Sequence, residues 1–188
     1  MTEAVAASSR REQILATAAE LFAARGFHGV SVAELGTACG VSGPALYKHF
    51  ASKDAVLAEM LVSISERLLT VGRERVAGST GPGDAVRRLV AWHVDFALNH
   101  RALIVVQDRD WSSLPDDARA RVRALQLDYV DLWAHQLRGH HPGLSLAEAR
   151  ARAHAAFGLI NSTPRSGRLP DDELRPVLAA MAERALLG

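Results

Sequence analysis

The sequence is short of cysteine, lysine and aromatic residues, and it has no excess of either charge. One cysteine, Cys39, in 188 residues excludes an internal disulfide. Aromatic residues make up 5% of the chain against 48% hydrophobic overall, the profile of an Ala- and Leu-rich helical protein. A formal net charge of +1 neither advertises nor excludes a nucleic-acid partner. Apolar runs never approach membrane-spanning length, and "MTEAVAASSRREQ" lacks the apolar stretch of a signal peptide. A soluble, cytoplasmic protein with no membrane partner is therefore expected. There is no nucleophile elbow or catalytic spacing, so no catalytic residue is expected. His135, His140 and His141 straddle a helix end and a Pro-Gly loop without a cysteine beside them, so no metal site and no cofactor is expected. Segments of alternating apolar and polar residues are also missing. What remains is helical periodicity throughout, which predicts an all-α fold of about nine helices.

Residues 1–9 are small and polar and read as a disordered tail. From Arg10, apolar positions at helical spacing (Ile14, Leu15, Ala18, Leu21, Phe22) predict a helix with Ser9 as N-cap, Glu12 three residues on completing a capping box, and Gly26 as its stop. Ser31 and Glu34 form a second capping box, opening a short helix that Gly40 ends. Ser42 caps the next helix, which runs to about Ala51, and Ser52 caps a long one after it. "AGSTGPG" (77–83) is a loop, after which Asp84 is placed as an N-cap. Further helices are predicted from 102 to 107, from about 116 to 138, from Ser145 with Glu148 to about Asn161, and from Asp171 or Asp172 to Leu187.

"CGVSGPALYKHFASK" (39–53) carries the functional signal. A short helix, a Gly-containing turn and a second helix make a helix–turn–helix, whose second helix enters the DNA major groove. Gly43, Pro44 and Ala45 give that helix a slim tip, so backbone N–H groups can approach phosphate. Tyr47, Lys48 and His49 follow with hydroxyl, ammonium and imidazole groups. Lys48 and Lys53 are the only lysines in the chain. Phe50 pairs with Leu46 at i,i+4 and is assigned to the core.

The wording of this region is specific. Leu21-Phe22, Gly26-Phe27, Ser31-Val32, Glu34-Leu35, Gly40-Val41-Ser42, Leu46-Tyr47, His49-Phe50 and Ser52-Lys53 resemble the TetR family of transcriptional regulators over about residues 10–60. Gly36, where the family usually has alanine, and Cys39, in place of a small alanine, depart from the pattern. The resemblance implies a DNA-binding domain over 10–51 and a ligand-binding and dimerisation domain over 52–188. It also implies a homodimeric repressor that binds a palindromic, double-stranded DNA operator and is released by a small molecule. Carried over residue by residue, the DNA contacts are Ser31, Ser42, Gly43, Pro44, Ala45, Tyr47, Lys48, His49 and Lys53.

The family's effector pocket lies between the middle helices. On that basis the candidate ligand-binding residues are Trp92, His93, Phe96, Arg109, Trp111, Tyr129, Trp133 and Phe157, with Asn161, Asp95, Gln107, Asp110 and His154 as further polar candidates. An apolar chamber with Arg109 at its rim would suit an amphipathic anion such as an acyl-CoA. The competing assignment for Arg109 is a simple ion pair with Asp108 or Asp110. Apolar stripes on the last two helices suggest a dimer interface through Phe157, Ile160, Leu174, Leu178 and Met181. Two other classes stay open at this point: an all-helical enzyme or carrier with a fortuitous helix–turn–helix, and a regulator controlled by a protein partner.

Overall fold

The computed structural model describes residues 2–41, 43–166 and 169–188, with side chains from Arg10 onward except at 43 and 44. Among them are nine α-helices, two 3-10 turns and no strand. The helices are α1 (Thr2–Arg25), α2 (Val32–Ala38), α3 (Gly43–Leu46), α4 (Lys53–Ala77), α5 (Pro82–Asn99), α6 (Arg101–Asp110), α7 (Asp116–His140), α8 (Leu146–Ile160) and α9 (Asp171–Leu187). No single helix among the described residues is long and apolar enough to cross a membrane.

Several ends form as their residues dictate. Ser31 and Glu34 make the reciprocal capping box of α2, and Ser145 and Glu148 make that of α8. Gly26 (φ 81°) and Gly40 (φ 66°) take the left-handed backbone that stops α1 and α2. The Ser52 hydroxyl accepts from the Ala55 N–H at 3.0 Å, capping α4.

Other ends differ from expectation. α1 begins at Thr2, so the segment 1–9 expected as a disordered tail is helical from its second residue and Ser9 is not a cap. "TEAVAASS" holds no breaker, and its alanines favour continuation. α5 begins at Pro82 with Gly81 as N-cap, because proline's fixed φ suits the first helical position. Asp84 instead reaches back from inside the first turn to the Thr80 N–H at 3.0 Å and pairs with Arg88. α6 extends on both sides of the predicted 102–107. α3 is regular only to Leu46. Beyond it the chain turns through i→i−3 bonds, Lys48 N–H to Ala45 O at 3.2 Å and His49 N–H to Leu46 O at 2.9 Å. The Ser42 cap lies outside the described residues.

The chain divides into two compact units, at boundaries other than the expected 51/52. The first contains residues 1–63 and 102–122, the second residues 64–101 and 123–188. In the first, Ile14, Phe22, Phe27, Leu35, Leu46, Phe50, Leu57 and Leu61 share one core with Val106, Leu114 and Val122. These last three come from α6, the segment after it and the start of α7. Burying them against the N-terminal helices draws this later stretch into the first unit. In the second unit α5, α8 and α9 pack on one another. Val86, Leu89 and Val90 of α5, Ala153 and Ile160 of α8, and Leu174, Leu178 and Leu186 of α9 are buried there.

Candidate nucleic-acid interface and effector site

In the first unit, α2, α3 and the turn after α3 present a small set of side chains outward. Tyr47 is 53% exposed and Lys48 is exposed, while their neighbours Leu46 and Phe50 are buried. Ala45 and His49 are half-buried. Phe50 is thus core, as its pairing with Leu46 predicts. Ser31 is exposed, but its hydroxyl is occupied by the cap, donating to the Glu34 carboxylate at 2.7 Å and accepting from the Glu34 N–H at 3.2 Å. Those bonds, with Arg25 beside the carboxylate, hold the Glu34 pKa down to about 2. Gly43 and Pro44 lie in the first turn of α3. Ser42, the remaining predicted contact, lies outside the described residues.

Lys53 has a role that the spacing did not indicate. Its ammonium donates to the Phe27 and Val30 carbonyls, both at 2.8 Å, and lies 4.2 Å above the Phe27 ring. Two of its three N–H donors therefore hold the turn between α1 and α2, leaving one for any phosphate. Three charged residues were missed altogether. Arg10 donates to the Cys39 carbonyl at 2.5 Å, and Arg11 donates to the His49 carbonyl and to Glu59. Their partners lie too far along the chain for helical spacing to indicate them.

In the second unit the structure brings together five of the eight residues predicted to bind a ligand. His93 and Phe96 come from α5, Tyr129 and Trp133 from α7, and Phe157 from α8. The His93 ring stacks on Phe157 at 4.7 Å between centroids and on Tyr129 at 5.8 Å, with the Trp133 edge against it at 6.0 Å. Its Nε2 lies 3.1 Å from the Asn161 side-chain oxygen and its Nδ1 lies 3.3 Å from the Tyr129 hydroxyl. One consistent assignment has Nε2–H donating to Asn161 and Tyr129 donating to Nδ1, which satisfies a neutral imidazole. Burial pushes the His93 pKa down to about 4, against a smaller opposing effect of Asn161, so the ring is uncharged at neutral pH. Burial likewise pushes the Tyr129 phenol well above its ordinary value. Trp133 is fully buried, and its indole N–H makes no hydrogen bond of ordinary geometry, although the Tyr129 side chain, against which it packs edge to face, still interacts with it.

The other three predicted ligand residues lie elsewhere. Trp92 is on α5, but its indole N–H donates to the Leu68 carbonyl at 3.3 Å. Trp111 packs against the core of the first unit. Arg109 belongs to that unit too. Its guanidinium donates to the Ala23 carbonyl at 3.0 Å and to the Phe22 carbonyl, closing the C-terminus of α1, and it pairs with buried Asp110. Asp110 in turn accepts from the Phe27 N–H at 3.3 Å. The ion-pair assignment for Arg109 is the one observed, and the pocket-rim assignment is replaced. Among the described residues, no group of three His, Cys, Asp or Glu side chains is placed to hold a metal.

The predicted dimer face needs correction as well. Ile160, Leu174 and Leu178 are 0%, 4% and 4% exposed within the single chain, because α5, α8 and α9 cover one another's apolar stripes. Phe157 is half-buried among the aromatic rings. Of the five predicted residues only Met181 is open, at 49%, and Val177, one turn before it on α9, is 44% exposed.

Known proteins resemble this chain along most of its length. The model of "Bacterial regulatory proteins, tetR family" matches residues 14–60, and that of "Tetracyclin repressor-like, C-terminal domain" matches residues 79–186. The HTH-type transcriptional repressor KstR2 of Rhodococcus jostii is 28% identical over 127 residues, which is 67% of this chain and 62% of that protein. A TetR-family transcriptional regulator from Bordetella parapertussis superposes with a TM-score of 0.81 at 27% identity, covering 92% of this chain and 93% of that one. The regulator AibR, crystallised with isovaleryl coenzyme A and operator DNA, shares the fold at a TM-score of 0.70 and 21% identity, covering 92% and 97% of the two chains.

Proposed function

The chain belongs to the tetR family of bacterial regulatory proteins, and from that premise we propose that it is a cytoplasmic, effector-released repressor that binds a palindromic DNA operator as a homodimer. Membership in a family of regulators removes the reading as an enzyme or carrier. The observation that carries the proposal is the outward pair Tyr47 and Lys48, presented by the turn that follows α3, with Leu46 and Phe50 on either side of them buried. A duplex selected by the protein from a random-sequence library tests it. On that duplex, Lys48→Ala is expected to weaken binding on all sequences and to lower the salt slope by about one, as loss of one phosphate contact should. Tyr47→Ala should cost about 1 to 3 kcal/mol of discrimination, measured by gel shift against single-base variants. Lys53→Ala is the less clean test, since it also releases two carbonyls of the α1–α2 turn. Failure to select any sequence would refute the proposal.

The effector in this reading is a small apolar or amphipathic molecule whose body meets the rings of His93, Phe157 and their neighbours. A hydrogen-bond acceptor on it would offer the Trp133 N–H a better partner than the Tyr129 side chain beside it. Such a molecule must favour the DNA-free form by about 1 to 3 kcal/mol to act as an inducer. An acyl-CoA belongs to this class, and its charged end would be met by residues other than Arg109. A panel of acyl-CoAs and of uncharged apolar ligands, titrated against the protein–DNA complex, is expected to include one that releases DNA at sub-millimolar concentration. That ligand should also alter tryptophan fluorescence, and Trp133→Phe should reduce its potency. Release by none of them would favour control by a protein partner.

A further inference from the structure

Consecutive arginines of α1 hold the two ends of the α2–α3 pair. Arg10 donates to the Cys39 carbonyl at 2.5 Å, where α2 stops, and Arg11 donates to the His49 carbonyl, where the turn after α3 ends. α3 has four regular residues, far fewer than a helix needs to hold its own shape. The Ala45 and Leu46 carbonyls are met by the Lys48, His49 and Phe50 N–H groups of the turn that follows, and the His49 carbonyl, at the end of that turn, is held from outside by Arg11. Arg11 is itself oriented. Its Nε and Nη2 face both oxygens of Glu59 on α4, and its guanidinium lies 4.2 Å from the centre of the Phe50 ring. The fork, the carboxylate and the ring together fix the third direction, in which Nη1 meets His49. A planar guanidinium supplies all three contacts at once, and an ammonium does not.

We propose that Arg11, oriented by Glu59, is a positioning residue for DNA reading: it sets where the 47–49 turn, and hence Tyr47 and Lys48, stand on the first unit, without contacting DNA itself. The proposal rests on the operator-binding reading above. A cation near a DNA-binding face would by default be taken for a phosphate contact, and the two roles predict opposite results. The variants Arg11→Lys and Glu59→Gln are compared with the wild type on the selected duplex and on a scrambled duplex of equal length and composition. Positioning predicts that each variant loses about tenfold on the selected duplex, the size of one lost interaction. It predicts less than about twofold change on the scrambled duplex, an unchanged salt slope, and a double variant no weaker than the weaker single one. A phosphate-contacting Arg11 predicts near-wild-type binding by Arg11→Lys and tighter binding of both duplexes by Glu59→Gln, which removes a negative charge. Equal loss on both duplexes, in step with a lowered melting temperature, would mean plain destabilisation. Either result overturns the inference while leaving the operator-binding reading in place. A wild type that selects no duplex overturns both.

Discussion

Lowering the pH from 7 to 4 is expected to cost the fold about 3 kcal/mol through His93 alone. The folded ring titrates at about 4, against the ordinary imidazole value of 6.5. Between those values the unfolded chain binds the extra proton and the folded chain does not. Stability therefore rises with pH across this window, is flat above it, and is lost as pH falls from 6.5 toward 4. At about 1.4 kcal/mol per unit the whole shift is worth about 3.5 kcal/mol, and about 3 of it is gone by pH 4, where the folded ring is half protonated. His100, also depressed, first by burial and then by the charge of Arg67, adds a loss that begins in the same region. The depressed carboxylates act lower down. Glu34, Asp84, Asp131, Glu148 and Asp171 lose their contributions only as pH falls below their ordinary values of 4.5 or 3.8. Denaturant melts at pH 7, 5.5 and 4.5 separate the two groups. His93→Gln, which keeps polar atoms in the ring's place, should flatten the curve above pH 4.5. The same curve in wild type and variant would show that His93 does not stay neutral in the fold.

The variant Val177→Glu with Met181→Glu is expected to be a folded monomer whose operator affinity has dropped more than about a hundredfold. A palindrome is read by two copies held about 34 to 36 Å apart, or a multiple of that, and a monomer meets only half of it. Val177 and Met181 are open on the outer side of α9, and glutamates there put charge into any twofold contact without disturbing the chain's own core. Leu178→Glu is the contrast. That side chain is 4% exposed within the chain, so its charge would be buried unpaired and the protein should unfold instead. Sedimentation velocity and a thermal melt distinguish the two outcomes. A wild type that sediments as a monomer at micromolar concentration would sink the dimer reading.

The contrast between Leu178 and Met181 shows what a sequence can and cannot tell. An apolar stripe on a helix says that something covers it, but not whether the cover is the same chain or a second copy. Here α5 and α8 cover the Leu174–Leu178 side of α9, and the outward side carries Val177 and Met181. Signals confined to a few residues were mostly readable: the capping boxes of α2 and α8, though not the Ser9 cap, the glycine stops of α1 and α2, and the inward Phe50. The contacts of single cations were not. Lys53 bonds carbonyls 26 and 23 residues away, and Arg109 bonds carbonyls 86 and 87 residues away. A backbone carbonyl is the same chemical group at every position, so no residue type marks it as a partner. The aromatic grouping was half-legible. Helical spacing gave the residues of α5, α7 and α8, and His93 with Asn161 stood among the polar candidates, but nothing in the spacing separated Trp92 and Trp111 from the rest.

The core of the first unit is assembled from two stretches of chain, residues 1–63 and 102–122. During synthesis the N-terminal helices emerge first, and Phe22, Phe27 and Leu57 wait for Val106, Leu114 and Val122. The whole of residues 64–101 must be made before that core can close, a long loop to bring together before its contacts are gained. Nascent chains of this protein therefore carry an unfinished, sticky first unit until residues 102–122 have left the ribosome. The same arrangement means that the first unit cut off at residue 63 lacks part of its own interior. It is not a cassette that can be spliced onto another protein and keep its shape.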